Sequence, residues 1–95
     1  MFVISSTYTR AVSRDEPVRA EHLAFVERCY QEGHFIASGP RQQLAGGVII
    51  ARGDDLERVQ ALMSQDPFLR DGVVSAYDFI HFRASRAAHA DLIDQ

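Results

Sequence analysis

Asp15-Glu16-Pro17-Val18-Arg19-Ala20-Glu21-His22-Leu23-Ala24-Phe25-Val26-Glu27-Arg28-Cys29-Tyr30-Gln31-Glu32-Gly33 is the stretch on which the fold turns. Acidic residues and a proline open it and a glycine closes it, the start and stop signals of a helix over residues 16–32. At about 100° per residue, Val18, His22, Phe25, Val26 and Cys29 share one side, while Glu21, Glu27, Arg28 and Gln31 share the other. The apolar side packs on a sheet, and it carries His22 with it.

Upstream, residues 2–8 are rich in β-branched and aromatic side chains, with Phe2, Ile4 and Tyr8 at even spacing, the pattern of a strand. Downstream, residues 34–38 read as a second strand stopped by Gly39-Pro40, and residues 47–52 as a third. The loop Arg41-Gln42-Gln43-Leu44-Ala45-Gly46 joins these two as a hairpin. Gly53-Asp54-Asp55 supplies a turn and an N-cap, and Leu56, Val59 and Met63 recur at helical spacing, so a second helix runs to about residue 64. Beyond Asp66-Pro67-Phe68 and Gly72, residues 73–82 read as a long fourth strand. Val74, Ala76, Ile80 and Phe82 lie on one of its faces, and Ser75, Tyr77, Phe79 and His81 on the other. The order βαββαβ predicts an α+β, ferredoxin-like domain over residues 1–83, with a four-stranded antiparallel sheet and both helices on one side. Residues 84–95 form a tail, a short helix after Ser85 or a frayed end.

Ninety-five residues make one small domain. The uncovered sheet face still carries apolar side chains, which predicts a second copy of the chain as its lid and hence a homodimer. A net charge of -3, with ten scattered basic residues that are all Arg, argues against nucleic acid as a partner. No apolar run exceeds four residues, residues 48–51 among them, so none can span a bilayer, and residues 1–7 lack the pattern of a signal peptide. A cytoplasmic protein without membrane contact is expected. The single cysteine, Cys29, permits no internal disulfide and falls on the apolar helix face, as a buried thiol does.

His22 and Asp66 together have the composition of an acid/base pair. Desolvation disfavours a charged imidazole and a neighbouring carboxylate favours it, a balance suited to proton transfer. Packing offers a second account of each residue. His22 can simply donate to a backbone carbonyl between helix and sheet, and Asp66 can cap a one-turn helix over residues 67–71. The two roles of Asp66 are compatible, since a capping oxygen leaves the other free to orient an imidazole. Ser38, on the same strand face as Ile36, and Arg41, opening the hairpin loop, are candidates for holding a substrate; turn chemistry and solvation are their plainer readings. Gly46-Gly47 lacks the spacing of a phosphate loop. His22, His34, His81 and His89 form no HxxxH or HxH pair, and one cysteine supplies no CxxC, so no metal site is expected.

Arg19-(x)2-His22-Leu23-Ala24-Phe25, Gly33-(x)4-Ser38-Gly39-Pro40, Gly46-Gly47 and Asp66-Pro67-Phe68-(x)3-Gly72, in this order and separation, resemble the YCII-related (YciI-like) family. The resemblance covers residues 2–82. It implies a dimeric α/β barrel, in which two ferredoxin-like sheets pack face to face, and a pocket with a His and Asp dyad, here His22 and Asp66. It also implies kinship of fold with muconolactone isomerases and with a dehydrochlorinase acting on a chlorinated hydroxyquinol, and fold alone does not transfer an activity. The expectation is a small cofactor-independent lyase or isomerase in which His22 moves a proton on a small organic substrate while Asp66 orients it. A non-catalytic module that binds a small ligand or serves a larger enzyme is the alternative. A heme-degrading or quinone-forming monooxygenase is a third reading.

Overall fold

The computed structural model describes residues 1–94. Strands β1 (Phe2–Ser5), β2 (Phe35–Pro40), β3 (Gly47–Ala51) and β4 (Asp78–His81) form one antiparallel sheet in the order β2-β3-β1-β4. Helix α1 (Pro17–Gln31) links β1 to β2, and helices α2 (Leu56–Met63) and α3 (Pro67–Arg70) lie between β3 and β4. This is the ferredoxin-like arrangement with one additional short helix. Among the described residues no helix is long and apolar enough to cross a membrane.

The ends of α1 match their local signals. Glu16 is the N-cap, Pro17 occupies the first turn, and the chain leaves the helix through Gly33 at φ +80°, a conformation that favours glycine. Asp55 caps α2, its carboxylate accepting from the N–H groups of Glu57 and Arg58. Phe25 and Cys29 of α1 and Val59 and Met63 of α2 pack with Phe2, Ile4, Phe35, Ile49 and Ala51 of the sheet. Burial pushes the Cys29 thiol up to about 11, so little of it is thiolate near neutral pH and its place is in the packing. Val18, Phe68, Val73 and Val74 form a second cluster under α3.

Several boundaries differ from those expected. β1 stops at Ser5, and beyond it Tyr8 donates its N–H to the Ala45 carbonyl and forms an isolated bridge to Val74. β2 runs through Gly39 and Pro40, with Pro40 opposite Gly47. It is an edge strand, where a missing N–H costs no ladder bond on the open side. β4 is four residues long because Val73 and Val74 turn into the second cluster instead of extending the sheet. Within β4, Phe79 pairs with Ile4 and His81 with Phe2, so these lie on the helix side. Ile80 pairs with Val3 and faces away, 63% exposed.

A bulge changes the reading of β2. Phe35 pairs with Ala51, whereas Ala37 pairs with Ile50 and Ser38 with Ile49, so Ile36 is the extra residue. Ser38 therefore shares the helix-side face with Phe35 rather than the face of Ile36. Its hydroxyl lies 2.6 Å from that of Tyr30 on α1.

The tail contains one 3₁₀ turn, Ala90–Leu92. Arg52 donates to the Asp91 carbonyl at 2.9 Å, and Ala84 and Asp94 exchange bonds, with the Asp94 carboxylate accepting from Ala84 N–H and Asp94 N–H donating to the Ala84 carbonyl. Gln95, which the expected tail included, lies outside the described residues.

Ile4 is fully buried at the centre of the sheet. Ile4→Ala is expected to lower the unfolding free energy by about 2–5 kcal/mol in urea titration. An unchanged midpoint would contradict its placement in the core.

Candidate active site

Asp66 occupies the N-cap of α3 and is 0% exposed. The residue before proline is held out of the helical region, here at φ -66°, ψ 123°, which lets its side chain fold back over the first turn. Oδ1 accepts from Phe68 N–H at 2.9 Å and lies 2.8 Å from His22 Nδ1. Oδ2 accepts from the Tyr77 hydroxyl. Burial, reinforced by the carboxylate itself, raises the Tyr77 phenol far above its ordinary value, so it stays a donor. A carboxylate has no proton to give, so Nδ1 of His22 donates, and in the neutral ring the lone pair sits on Nε2.

His22 does not reach across to the sheet as the helix pattern suggested. Its ring stacks on Phe68 with centroids 3.8 Å apart and planes 2° apart, and Tyr8 packs edge-on to Phe68 at 5.6 Å. Phe68 thus fixes the plane of the imidazole while Asp66 fixes its rotation. Between α1 and α3, Arg70 donates to Glu21 and to Asp71, holding the helix of His22 against the cap that contains Asp66. The imidazole is 16% exposed, and the exposed part belongs to a cavity of about 450 Å³.

The cavity is lined by His22, Phe68 and Tyr77 on one side and by Ser6, Ser38, Gly47 and Ile49 on the sheet side. Tyr8 and Arg19 also line it. Ser38, expected from the sequence to face a ligand, is there because of the bulge. Arg41 is not among the lining residues: its guanidinium bonds to the Ser6 carbonyl and, at 2.9 Å, to Thr7 Oγ1. Arg19 is the guanidinium that lines the cavity, half-buried and without a side-chain hydrogen bond or ion pair among the described residues. Its signal was present in the sequence, since Arg19 precedes His22 by three residues and so shares its helix face. Tyr77 left no comparable signal, because its segment is irregular. Among the described residues no group of three or more His, Cys, Asp or Glu is placed to hold a metal ion.

A family model described as the YCII-related domain matches residues 1–83, and the chain belongs to that family. No curated protein matches the sequence. Among solved structures, the 5-chloro-2-hydroxyhydroquinone dehydrochlorinase (TftG) of Burkholderia phenoliruptrix AC1100, in complex with 2,5-dihydroxybenzoquinone, is similar with a TM-score of 0.61. The match covers 99% of this chain and 100% of that chain at 17% identity, a likeness of fold.

The Nδ1 contact has a direct spectroscopic consequence. In ¹⁵N-resolved NMR, neutral His22 is expected as the Nδ1–H tautomer, and Asp66→Asn is expected to redistribute the proton between the two nitrogens. An Nε2–H tautomer in the unmodified protein would contradict the assigned geometry.

Proposed function

We propose that the chain is a small cofactor-independent enzyme of the lyase or isomerase type, with His22 as the proton-transferring group and Asp66 as its orienting partner. The observation that carries this reading is the 2.8 Å contact from His22 Nδ1 to a fully buried Asp66, beside a 450 Å³ cavity that His22 itself lines. The cavity is of a size for a small organic molecule.

In the proposed step, Nε2 accepts a proton from a carbon or hydroxyl of the substrate. The electron pair left behind either expels a leaving group as an anion, the lyase outcome, or takes the proton back at a different carbon, the isomerase outcome. The imidazolium formed in between is stabilised by Asp66 through Nδ1–H. Arg19 supplies positive charge toward the anion that develops on the substrate, the role that the sequence suggested for Arg41. Ser38, with its hydroxyl against Tyr30, bounds the substrate on the β2 side. Nothing in this proton movement calls for a redox group. The likeness of fold to a dehydrochlorinase is compatible with the lyase form.

The same reading includes a homodimer through the open sheet face, the arrangement its family resemblance implies. Ile50, Val3 and Ile80 form a row across three strands on that face, and Phe82, 42% exposed, extends the apolar surface beyond β4. A second copy presents the same row and covers it, with Asp78, opposite Ser5, at the margin of the same face. Sedimentation is expected to give twice the chain mass, and Ile80→Glu to give the monomer. A monomeric unmodified protein would remove the dimer from the proposal. A cytoplasmic location fits a chain whose one cysteine is a buried free thiol.

Proton transfer is tested by deuterium uptake from D₂O into a panel of small enolisable compounds and hydroxylated quinones, followed by NMR. The unmodified protein is expected to accelerate exchange in a subset, and His22→Gln to reduce that acceleration by about 10²–10⁴-fold. Equal exchange in His22→Gln would overturn the assignment. Binding without exchange, retained in His22→Gln, would identify a ligand-binding module instead.

A further inference from the structure

The sheet side of the cavity carries two hydroxyls that the proton-transfer reading leaves unused. Ser6 is only 4% exposed, yet its hydroxyl accepts from Gly47 N–H at 3.2 Å and meets no acceptor for its own proton among the described residues. Tyr8, half-buried, has a phenol with no hydrogen-bond partner among the described residues. Burial and, secondly, the charge of Asp66 raise its proton affinity, so it too remains a donor. Both residues line the cavity.

Gly47 lies between them. It belongs to the helix-side face, opposite Pro40 and next in line to Ile49, and its missing side chain leaves space there. A Cβ built on Gly47 would be 3.8 Å from Ser6 Oγ, 3.8 Å from the Tyr8 hydroxyl and 3.7 Å from the Gly39 carbonyl. Those are ordinary van der Waals distances, and the backbone of Gly47 is not in the left-handed region. Neither crowding nor conformation therefore requires glycine at this position. What the glycine does provide is room for a ligand atom between two donors.

We propose that Ser6 and Tyr8, converging on the open space over Gly47, form an oxygen-recognition subsite that takes a carbonyl or enolate oxygen of a small ring substrate. The inference rests on the proton-transfer reading for the identity of the reacting end, which faces His22 on α1 while the oxygen is held at the sheet. Two donors aimed at that oxygen strengthen their bonds as negative charge develops on it, so the subsite favours the enolate over the ketone. It selects dioxygenated or polyoxygenated rings over hydrocarbons of the same shape, because an apolar ligand would leave both hydroxyl protons without an acceptor.

The test is equilibrium binding, which does not depend on turnover. The probes are 2,5-dihydroxybenzoquinone and p-xylene, titrated by calorimetry and by amide NMR. The quinone is expected to bind one molecule per chain and to shift the Ser6 and Gly47 amides. Tyr8→Phe, which removes an oxygen without a hydrogen-bond partner among the described residues, is expected to weaken it about threefold to tenfold. Gly47→Ala, which places a methyl in the subsite, is expected to weaken it at least as much, with thermal midpoints near that of the unmodified protein in both variants. p-Xylene is expected to bind more weakly and to be indifferent to Tyr8→Phe. Failure of the quinone to bind, or an unchanged Kd in both Tyr8→Phe and Gly47→Ala, would overturn the subsite. The same titration in His22→Asn separates this from the catalytic proposal: dependence on Tyr8 that persists there supports the subsite whatever His22 does in exchange.

Discussion

The buried carboxylate of Asp66 is the constraint around which the rest is arranged. An ion removed from water is tolerated only when its oxygens are met by donors, and here three parts of the chain each provide one. Phe68 N–H comes from α3, His22 Nδ1–H from α1, and the Tyr77 hydroxyl from the segment that leads into β4. Their convergence fixes how α1 and α3 approach one another and why Tyr77 turns inward. The same bonds leave Nε2 as the one ring nitrogen of His22 without a protein partner among the described residues. Structural satisfaction of the carboxylate and preparation of the imidazole are therefore one arrangement.

The features legible in the sequence are those whose physical signal is local. The glycine after α1, the caps at Asp55 and Asp66, and the helical spacing of Val18, Phe25 and Cys29 depend on nearest neighbours along the chain. The meeting of His22 with Asp66 was legible as soon as both were placed on adjacent helices of one sheet. Features set by tertiary contacts leave no such signal. The alternation in residues 73–82 looks like a strand because Val, Tyr and Phe favour strands. Tertiary competition decides otherwise, since Val73 and Val74 bury more fully under α3 than a sheet edge would allow. The bulge at Ile36 has no signature of its own, and a shift of one residue reverses every face beyond it. The position of Arg41 outside the cavity lining was equally hidden, because loop contacts with Ser6 and Thr7 cannot be seen from spacing.

Two close approaches explain why the site end of the sheet keeps its shape without large side chains. A Cβ on Gly46 would fall 2.0 Å from the Ser6 carbonyl, so only glycine lets the hairpin loop close against the end of β1. Arg41 then reaches the same Ser6 carbonyl from the loop's other end, and Arg41 N–H bonds to the Gly46 carbonyl. The loop is in this way tied to β1 by backbone and guanidinium rather than by apolar packing. That leaves the helix-side positions nearby free of any duty in the core.

The cavity follows from this division. Along the helix-side face of β1 and its continuation, Phe2 and Ile4 fill the core, and the next position in the alternation is Ser6. Along β3, Ala51 and Ile49 fill it, and the next is Gly47; along β2, Phe35 fills it, and beyond the bulge comes Ser38. β1 and β3 change from apolar to small residues in the row of Ser6 and Gly47, and β2 changes one row earlier, at Ser38 opposite Ile49, with Pro40 beside Gly47. A close-packed interior cannot continue over Ser, Gly and Ser, so the space between α1 and the sheet opens there. His22 stands at that level on α1, about one helical turn before Phe25 and Val26, which still belong to the core and its margin. The core thus gives way to the cavity over two adjacent rows of the sheet, and His22, Tyr8, Ser6 and Ser38 supply polar groups along it.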